Sequence, residues 1–237
     1  MEIQGKVAFV TGANRGLGRE FVKALLAGGA AKVYAAARDV TRIDIPGAQA
    51  IALDVTSADS IAAAVAQCGD VDLLINNAGI MSLGSLLDSN SADSLRHHME
   101  TNLFGPLALS QAFAPILKAQ GGGAIINILS VLSWIAIQGS GPYSISKAAA
   151  WSLTNGLRNE LRAQQTQVVG VHPAYIDTDM ASASKAPKTK PEDVVRSVLE
   201  GLAQGLEEIL VDDTGRSVKK TLSTPEAYYL MTSRQAA

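Results

Sequence analysis

Tyr143 and Lys147 stand four residues apart in Gly141-Pro142-Tyr143-Ser144-Ile145-Ser146-Lys147, a stretch with helical character, so the two side chains share a face. A phenol at its ordinary pKa of about 10 is a poor base near neutrality. A neighbouring ammonium favours the phenolate and is expected to lower that pKa toward the working range, where protons can be exchanged with a substrate oxygen. Tyr143 is then a general acid in one direction of a reaction and a general base in the other. Taken alone, such a pair is usually a helix-surface contact. Ser130, which closes the apolar run Ala124-Ile125-Ile126-Asn127-Ile128-Leu129 thirteen residues before Tyr143, adds a third polar group at a fixed distance.

A second group has the composition of an anion cradle. Thr11-Gly12-Ala13-Asn14-Arg15-Gly16-Leu17-Gly18 follows the apolar run Val7-Ala8-Phe9-Val10 and precedes Glu20-Phe21-Val22-Lys23-Ala24-Leu25-Leu26, which has helical spacing. Glycines allow a tight turn and close approach of the backbone to a pyrophosphate, and a helix amino terminus adds unpaired N–H groups and a favourable dipole. A ligand-free glycine turn is the plain alternative, against which the strand and helix on either side weigh.

The scaffold that must position these residues is written as short β-type runs alternating with longer helical stretches. The runs are Val7 to Val10, Val33 to Ala36, Ala50 to Leu53, Val71 to Ile75, Ala124 to Ile128, Val168 to Val171 and Ile209 to Val211. Most are continuously apolar, as strands covered on both faces should be. Helices are predicted at about Arg15 to Leu26, Ser57 to Gln67, Ser91 to Lys118, Tyr143 to Gln164 and Pro191 to Gln204, the last opened by a proline. The expectation is an α/β, Rossmann-like, doubly wound, seven-stranded parallel sheet with right-handed crossovers, forming one dinucleotide-binding and catalytic domain over residues 1–237. Between Arg38 and Gln49 there is space for a short helix at most. Residues 175–190 are expected to form a substrate loop, with Ala181 to Lys190 a mobile lid, and 191–237 the less well-defined C-terminal part.

The spacing Gly-x-x-x-Gly-x-Gly, the Asn76-Asn77-Ala78-Gly79 element after the fourth strand and the Ser-x(12)-Tyr-x(3)-Lys pattern of Ser130, Tyr143 and Lys147 resemble the short-chain dehydrogenases/reductases, from about Lys6 to Thr178. The resemblance implies hydride transfer between a nicotinamide and a carbonyl or alcohol. It implies that Ser130 donates to the carbonyl oxygen, that Lys147 also holds the cofactor ribose, and that Asn102 in Thr101-Asn102-Leu103-Phe104-Gly105 holds a water linking the lysine to solvent. Helix packing is the alternative for Asn102, and Ser133 lines the pocket at most. Gly12, Asn14, Arg15, Gly16, Leu17 and Gly18 would hold the pyrophosphate.

An acid selecting NAD would fall at Ala37, which has none, whereas Arg38 and Arg15 supply two guanidinium groups for the 2′-phosphate of NADP(H). Asp39 remains open, able to pair with Arg38 or to serve the ribose. Asp54 and Val55 correspond to the adenine contact, with a helix N-cap before Ser57 as the alternative for Asp54. Asn77, Ala78 and Gly79 brace the sheet first and line the nicotinamide ribose second. Pro173, Ile176 and Thr178 correspond to the segment that fixes the nicotinamide, with Ala174 where the family pattern has glycine. Beyond Pro191 the likeness weakens: Asp212-Asp213-Thr214-Gly215 replaces the usual Asp-Gly-Gly, which argues against a tetramer built on that end.

Met81, Leu132, Trp134, Ile137 and Tyr175 are expected to face a small neutral ketone, aldehyde or alcohol, in a cleft left open by a short segment after Thr178. A homodimer or homotetramer is expected, a dimer using the two long helices with Phe113 and Trp151 as anchors. A net charge of -2, with Lys+Arg 20 against Asp+Glu 22 spread through the chain, gives no footprint for nucleic acid. No run of about 20 apolar residues suggests a membrane span. Cys68 reads as packing, and the lone thiol with no secretory start predicts a cytoplasmic setting. His172 reads as a core or interface histidine, and His97 with His98 lacks a third ligand, so no metal is expected. The competing reading is a non-catalytic NADP-binding regulator, whose expected mark, loss of Tyr143 or Lys147, is missing.

Overall fold

A computed structural model, which describes residues 1–231, gathers the apolar runs into one seven-stranded parallel sheet. Its strands are β1 (Val7–Thr11), β2 (Lys32–Ala37), β3 (Ala48–Ala52), β4 (Leu73–Asn76), β5 (Gly123–Ile128), β6 (Thr166–Val171) and β7 (Glu208–Ile209), in the order β3-β2-β1-β4-β5-β6-β7. This is the doubly wound α/β architecture predicted. The order reverses between β1 and β4, and a crevice opens beyond their carboxyl ends, where such sheets bind ligands. β7 is shorter than its apolar run, and just beyond it the Leu210 carbonyl accepts from Arg216 Nη1 at 2.9 Å.

The helices are α1 (Gly16–Ala27), α2 (Ala58–Val65), α3 (Ser91–Met99), α4 (Gly105–Ala119), α5 (Gly141–Leu161), α6 (Pro191–Ala203), α7 (Asp213–Thr221) and α8 (Tyr228–Met231). Alternate strand residues feed two cores. On one face Val10, Ile75 and Ile126 meet Phe21, Val22 and Leu25 of α1 and Val194, Val198 and Leu202 of α6. On the other, Phe9, Leu74 and Ile125 meet Ile61 of α2, Leu109, Phe113 and Leu117 of α4, and Leu157 and Leu161 of α5. Phe113 is fully buried with its ring 4.9 Å from that of Phe9, so it anchors the sheet and is not available as an interface residue. Exposed aromatic or aliphatic groups on this side are Phe104 and Ile145 instead.

Two departures from the predicted elements bear on the site. The expected helix Ser91 to Lys118 is interrupted by a π turn at Glu100–Phe104. Pro106 has no N–H to give the Asn102 carbonyl, and Gly105 lies so close to β3's exit that a Cβ there would meet the Val55 carbonyl oxygen at 3.0 Å. The second is α7, which the apolar pattern did not announce. It is capped by Asp212, whose carboxylate accepts from Gly215 N–H at 2.7 Å. The thin connection after β2 holds only a 3₁₀ turn, Val40–Arg42, as expected.

Candidate active site

The cradle is built at the reversal point. Thr11, at the end of β1, accepts N–H bonds from Asn77 (3.0 Å) and Ala78 (2.9 Å) through its hydroxyl, which donates to the Ile75 carbonyl at 3.3 Å. Asn77 Nδ2 donates to the Thr11 carbonyl at 2.9 Å, the bracing role expected of it. Gly12 and Gly16 have φ of 66° and 53°, a conformation that a Cβ disfavours. A Cβ on Gly12 would lie 3.0 Å from Ala78 Cα, and one on Gly18 would overlap the Gly12 carbonyl and sit 2.5 Å from Asn77 Nδ2. Arg15 is the N-cap of α1 with no side-chain cap bond, and no acid lies in the first turn, so the helix leaves its N–H groups and positive end to an anion. Leu17 turns its side chain into the core, and Asn14 is half-buried in the turn. These residues fit a dinucleotide. Gly18→Ala is expected to destabilise the protein by about 3 kcal/mol, because the obstacle is backbone, and to abolish dinucleotide binding. Thermal unfolding with and without NADPH checks this.

Around the cradle, Asp39 Oδ1 accepts from Thr41 N–H (3.1 Å) and hydroxyl (2.6 Å). It therefore caps the 3₁₀ turn and does not pair with Arg38, which makes no hydrogen bond among the described residues. Asp54 Oδ1 accepts from Thr56 N–H (2.9 Å) and hydroxyl (2.7 Å); these bonds, with a smaller contribution from Arg38, hold its carboxyl below the ordinary value. The N-cap of α2 is Ser57, not Asp54. Val55 is buried against Gly105. Across the crevice Thr178 faces Gly16, where a Cβ would stand 3.3 Å from Thr178 Cγ2, and Arg15 pairs with Asp179 at 3.4 Å. Ile176 bridges to Thr189, closing the expected substrate loop at its base, and the buried Pro173 accepts from Val131 N–H at 2.9 Å.

The polar trio meets on the opposite wall. Ser130 precedes a 3₁₀ turn, Val131–Ser133, its hydroxyl accepting from Leu132 N–H at 3.1 Å, while its own N–H donates to Ser133 Oγ at 3.3 Å. Burial pushes the Tyr143 hydroxyl up to about 12, against a hydrogen bond with Ser130 that lowers it. Lys147 Nζ donates to the Ile128 carbonyl at 2.8 Å and lies 5.8 Å from the Tyr143 ring centroid; burial pushes it down to about 8. The expectation that the ammonium lowers the phenol is thus corrected for this state of the molecule. Desolvation dominates both groups, and Tyr143 is held as a protonated acid.

Asn102, in the π turn, clamps Ile80: its Oδ1 accepts from the Ile80 N–H at 2.9 Å and its Nδ2 donates to the Ile80 carbonyl at 3.0 Å. The same Nδ2 donates to Ser146 Oγ at 3.0 Å, and Ser146 donates to the Tyr143 carbonyl at 2.7 Å. Gly79 lies between Asn102 and Lys147, its Cβ position 3.2 Å from Asn102 Oδ1 and 3.7 Å from Lys147 Nζ. A cavity of about 10 Å³, lined by Asn76, Asn102, Asn127 and Lys147 among others, has room for one water.

Sequence reasoning placed Thr11 only as the first residue of the glycine turn and assigned no part in the site to Ser146 or His98. His98 is buried on α3, edge-on to Tyr143 at 6.2 Å; its Nε2 accepts from Ser82 N–H at 3.1 Å and its Nδ1 faces the Ser94 carbonyl at 2.7 Å. Beside Tyr143 an apolar cluster holds the expected Met81, Leu132, Trp134 and Ile137, but also Val218 and Leu222 from the unforeseen C-terminal part. Tyr175 lies outside this cluster. Cys68 is fully buried, and burial pushes its thiol up to about 12, consistent with packing. No helix among the described residues is long and apolar enough to cross a membrane.

A parallel sheet that reverses its order at a glycine cradle, with a buried phenol and ammonium across the crevice, defines a nicotinamide-dinucleotide oxidoreductase. A model of the short chain dehydrogenase family matches residues 6–189. The chain is 30% identical to dehydrogenase/reductase SDR family member 7B of Bos taurus, over 98% of its own length and 82% of that protein's. It is 32% identical to an uncharacterized oxidoreductase of Staphylococcus aureus, over 84% of this chain and 91% of that one. A crystal structure of a short chain dehydrogenase from Burkholderia cenocepacia in complex with NADP is similar with a TM-score of 0.91 and 37% identity, covering 100% of this chain and 97% of that one. The protein belongs to the short-chain dehydrogenase family.

Proposed function

We propose that this protein is an NADPH-dependent reductase of small neutral ketones or aldehydes, able to run in reverse on the alcohols. The observation that carries the reading is the Tyr143 hydroxyl: buried, raised by that burial to about 12 against the lowering influence of Ser130, and set beside an apolar cluster. When bound, the reduced nicotinamide supplies the hydride. Tyr143 gives its proton to the substrate oxygen, and Ser130, with one lone pair occupied by Leu132 N–H, directs its hydroxyl proton to the same oxygen as negative charge builds. Lys147 holds ribose hydroxyls, and a water in the cavity beside Asn102 relays protons toward Tyr143.

Gly12, Asn14, Arg15, Gly16, Leu17 and Gly18 hold the pyrophosphate, Asp54 and Val55 the adenine, Asn77, Ala78 and Gly79 the nicotinamide ribose, and Pro173, Ile176 and Thr178 the nicotinamide. Preference for NADPH rests on Ala37 carrying no acid, on an Arg38 free of hydrogen bonds, and on the NADP held by the similar Burkholderia structure. Arg38→Ala is expected to weaken NADPH about 30-fold, the loss of one charge-assisted contact of about 2 kcal/mol, with NADH changed less than about twofold. Fluorescence titration of both nucleotides checks it.

One catalytic unit, a homodimer or homotetramer through the outer faces of α4 and α5 near Phe104 and Ile145, and a reducing, cytoplasmic setting complete the reading. The test is loss of NADPH absorbance against a panel of aliphatic and aryl ketones and aldehydes, with NADH in parallel. Turnover preferring NADPH is the expected result. Tight NADPH binding without turnover of any carbonyl would replace this reading with that of a non-catalytic NADP-binding regulator.

A further inference from the structure

His172 is fully buried between β6 and the C-terminal elements, and it touches the catalytic serine from behind. Its Nδ1 lies 3.2 Å from the Ser130 carbonyl oxygen. A carbonyl only accepts, so the bond requires the tautomer with the proton on Nδ1. The ring is stacked on Trp134, with centroids 3.9 Å apart and planes 17° from parallel. Trp134 is in turn met edge-on by Trp151 at 6.2 Å, and Lys219 Nζ lies 5.0 Å from its centroid. Lys219 is tied to Glu208 at 2.7 Å, and the other Glu208 oxygen stands 3.6 Å from His172 Nε2.

The charged groups facing the ring are therefore Glu208 from β7, Lys219 from α7 and Arg158 from α5. Burial, the dominant influence, pushes the imidazole down to about 4, so it is neutral at working pH. The histidine's own backbone is tied as well: its N–H donates to the Ile209 carbonyl at 3.0 Å, and Gly215, in the first turn of α7, packs so closely that a Cβ there would stand 3.0 Å from the His172 carbonyl oxygen. Asp212 takes the N–H of Ala174 at 2.7 Å and that of Gly215 at 2.7 Å. Glu208, Asp212, Gly215 and Lys219 all lie beyond residue 189, where the family model's match ends.

We infer that His172 is a positioning residue for Ser130: its Nδ1–H, held by the Trp134 stack and by the β7–α7 unit, fixes the Ser130 carbonyl and thereby the direction of the serine hydroxyl toward the substrate oxygen. The inference rests on the carbonyl-reduction reading above. Ser130 is gripped at both ends of its own residue, its N–H by Ser133 Oγ and its carbonyl by two donors, Ser133 N–H at 2.9 Å and His172 Nδ1–H, while Leu132 N–H occupies one lone pair of the hydroxyl. Loss of the His172 bond takes the side-chain donor from a buried carbonyl that then keeps only the Ser133 N–H at 2.9 Å, so the turn settles without the contact that sets its tilt and the hydroxyl meets the developing charge less well. The C-terminal unit thus reaches the reacting atoms without touching them.

The experiment is a double-mutant cycle on the full-length protein, with NADPH and whichever ketone the panel shows to be turned over. His172→Leu removes the donor and His172→Asn keeps one, since both Asn Nδ2 and His Nδ1 are bonded to Cγ. His172→Leu is expected to lower kcat about 30-fold with KM for NADPH within about threefold, His172→Asn to recover most of it, and His172→Leu to cost less than about threefold once Ser130→Ala is present. Full additivity of His172→Leu with Ser130→Ala, or equal loss in the Leu and Asn variants, would overturn the inference and leave His172 a packing residue. Should the Leu variant fail to fold, His172→Gln, whose donor stands one bond farther out, replaces it against His172→Asn. Absence of turnover by the unaltered protein would overturn the reduction reading itself, and this inference with it; turnover with an unchanged His172→Leu variant would overturn the inference alone.

Discussion

On the proposed reading, Tyr143→Phe is expected to lower kcat for ketone reduction by about 10³-fold, within the range that a positioned acid contributes, and to leave NADPH affinity within about threefold of the original. The expectation follows from what the substitution removes. The Tyr143 ring packs in the apolar cluster with Val131, Leu132 and Ile135 and stands edge-on to His98, contacts that a phenylalanine keeps. Only the hydroxyl goes, and with it the proton that burial holds on the oxygen up to about pH 12. Neighbouring groups make poor substitutes. The Ser130 hydroxyl is a far weaker acid than a phenol, and Lys147 Nζ is directed to the Ile128 carbonyl. Single-turnover and steady-state kinetics with the same ketone, beside a fluorescence titration with NADPH, make the comparison. Retention of more than about a tenth of kcat would move the proton-donor role to Ser130 or to water and sink the mechanism.

Much of this arrangement was legible because the central strands are buried on both faces and so read as continuous apolar runs, followed by the polar residues that the crevice needs. The glycine cradle, Ser130, Tyr143 and Lys147 could all be placed on particular strand ends or helix faces from spacing. What was not legible was tertiary. The break in the helix at Asn102 had its signal in Gly105-Pro106, but the apolar periodicity runs through it, and only the close approach to Val55 shows why the helix must give way there. α7 turns a single apolar side chain, Val218, fully into the core, too little for a periodic pattern; its capping aspartate and its terminal lysines were the signals present.

Phe113 misled for the opposite reason. It sits on a long helix at a position that sequence alone cannot assign to the outer or the inner face, and the sheet claims it. The behaviour of the Tyr143–Lys147 pair could not be read from spacing either. Four residues of separation says that two side chains share a face, whereas the direction in which each titrates depends on how much water the fold removes and on which carbonyl the ammonium finds. Behind them Asn76 Nδ2 donates to Asn127 Oδ1 at 2.8 Å, and Asn127 Nδ2 to Thr154 Oγ1 at 2.9 Å, a buried polar chain joining β4, β5 and α5. Such a network fixes the strand ends that carry the site, and its residues look in sequence like ordinary loop-formers.

Lys147→Met is expected to abolish the proposed ketone turnover and, in the cofactor-free protein, to raise stability near neutral pH. The first effect follows from losing the group proposed to hold the ribose hydroxyls, the second from burial of the charge. Burial pushes the lysine from 10.5 down to about 8, so the folded chain carries an ammonium near pH 7 that its surroundings disfavour. Between about 8 and 10.5 the unfolded chain binds more protons than the folded one, and stability therefore rises with pH through that window; below it the penalty is present in full. Its size is about 3 kcal/mol near pH 7, which methionine, of similar length and without charge, removes. Against this stands the bond to the Ile128 carbonyl, whose loss costs about 1 to 2 kcal/mol. The variant is therefore expected to be more stable by about 1 to 2 kcal/mol near pH 7, and the advantage to shrink by about 1 kcal/mol near pH 9 as the wild-type lysine sheds its proton. Denaturant unfolding of both proteins at the two pH values checks the sign and the slope. A variant less stable than wild type near pH 7, or an advantage that grows with pH, would show that the ammonium is well solvated in the folded chain and that burial does not disfavour it.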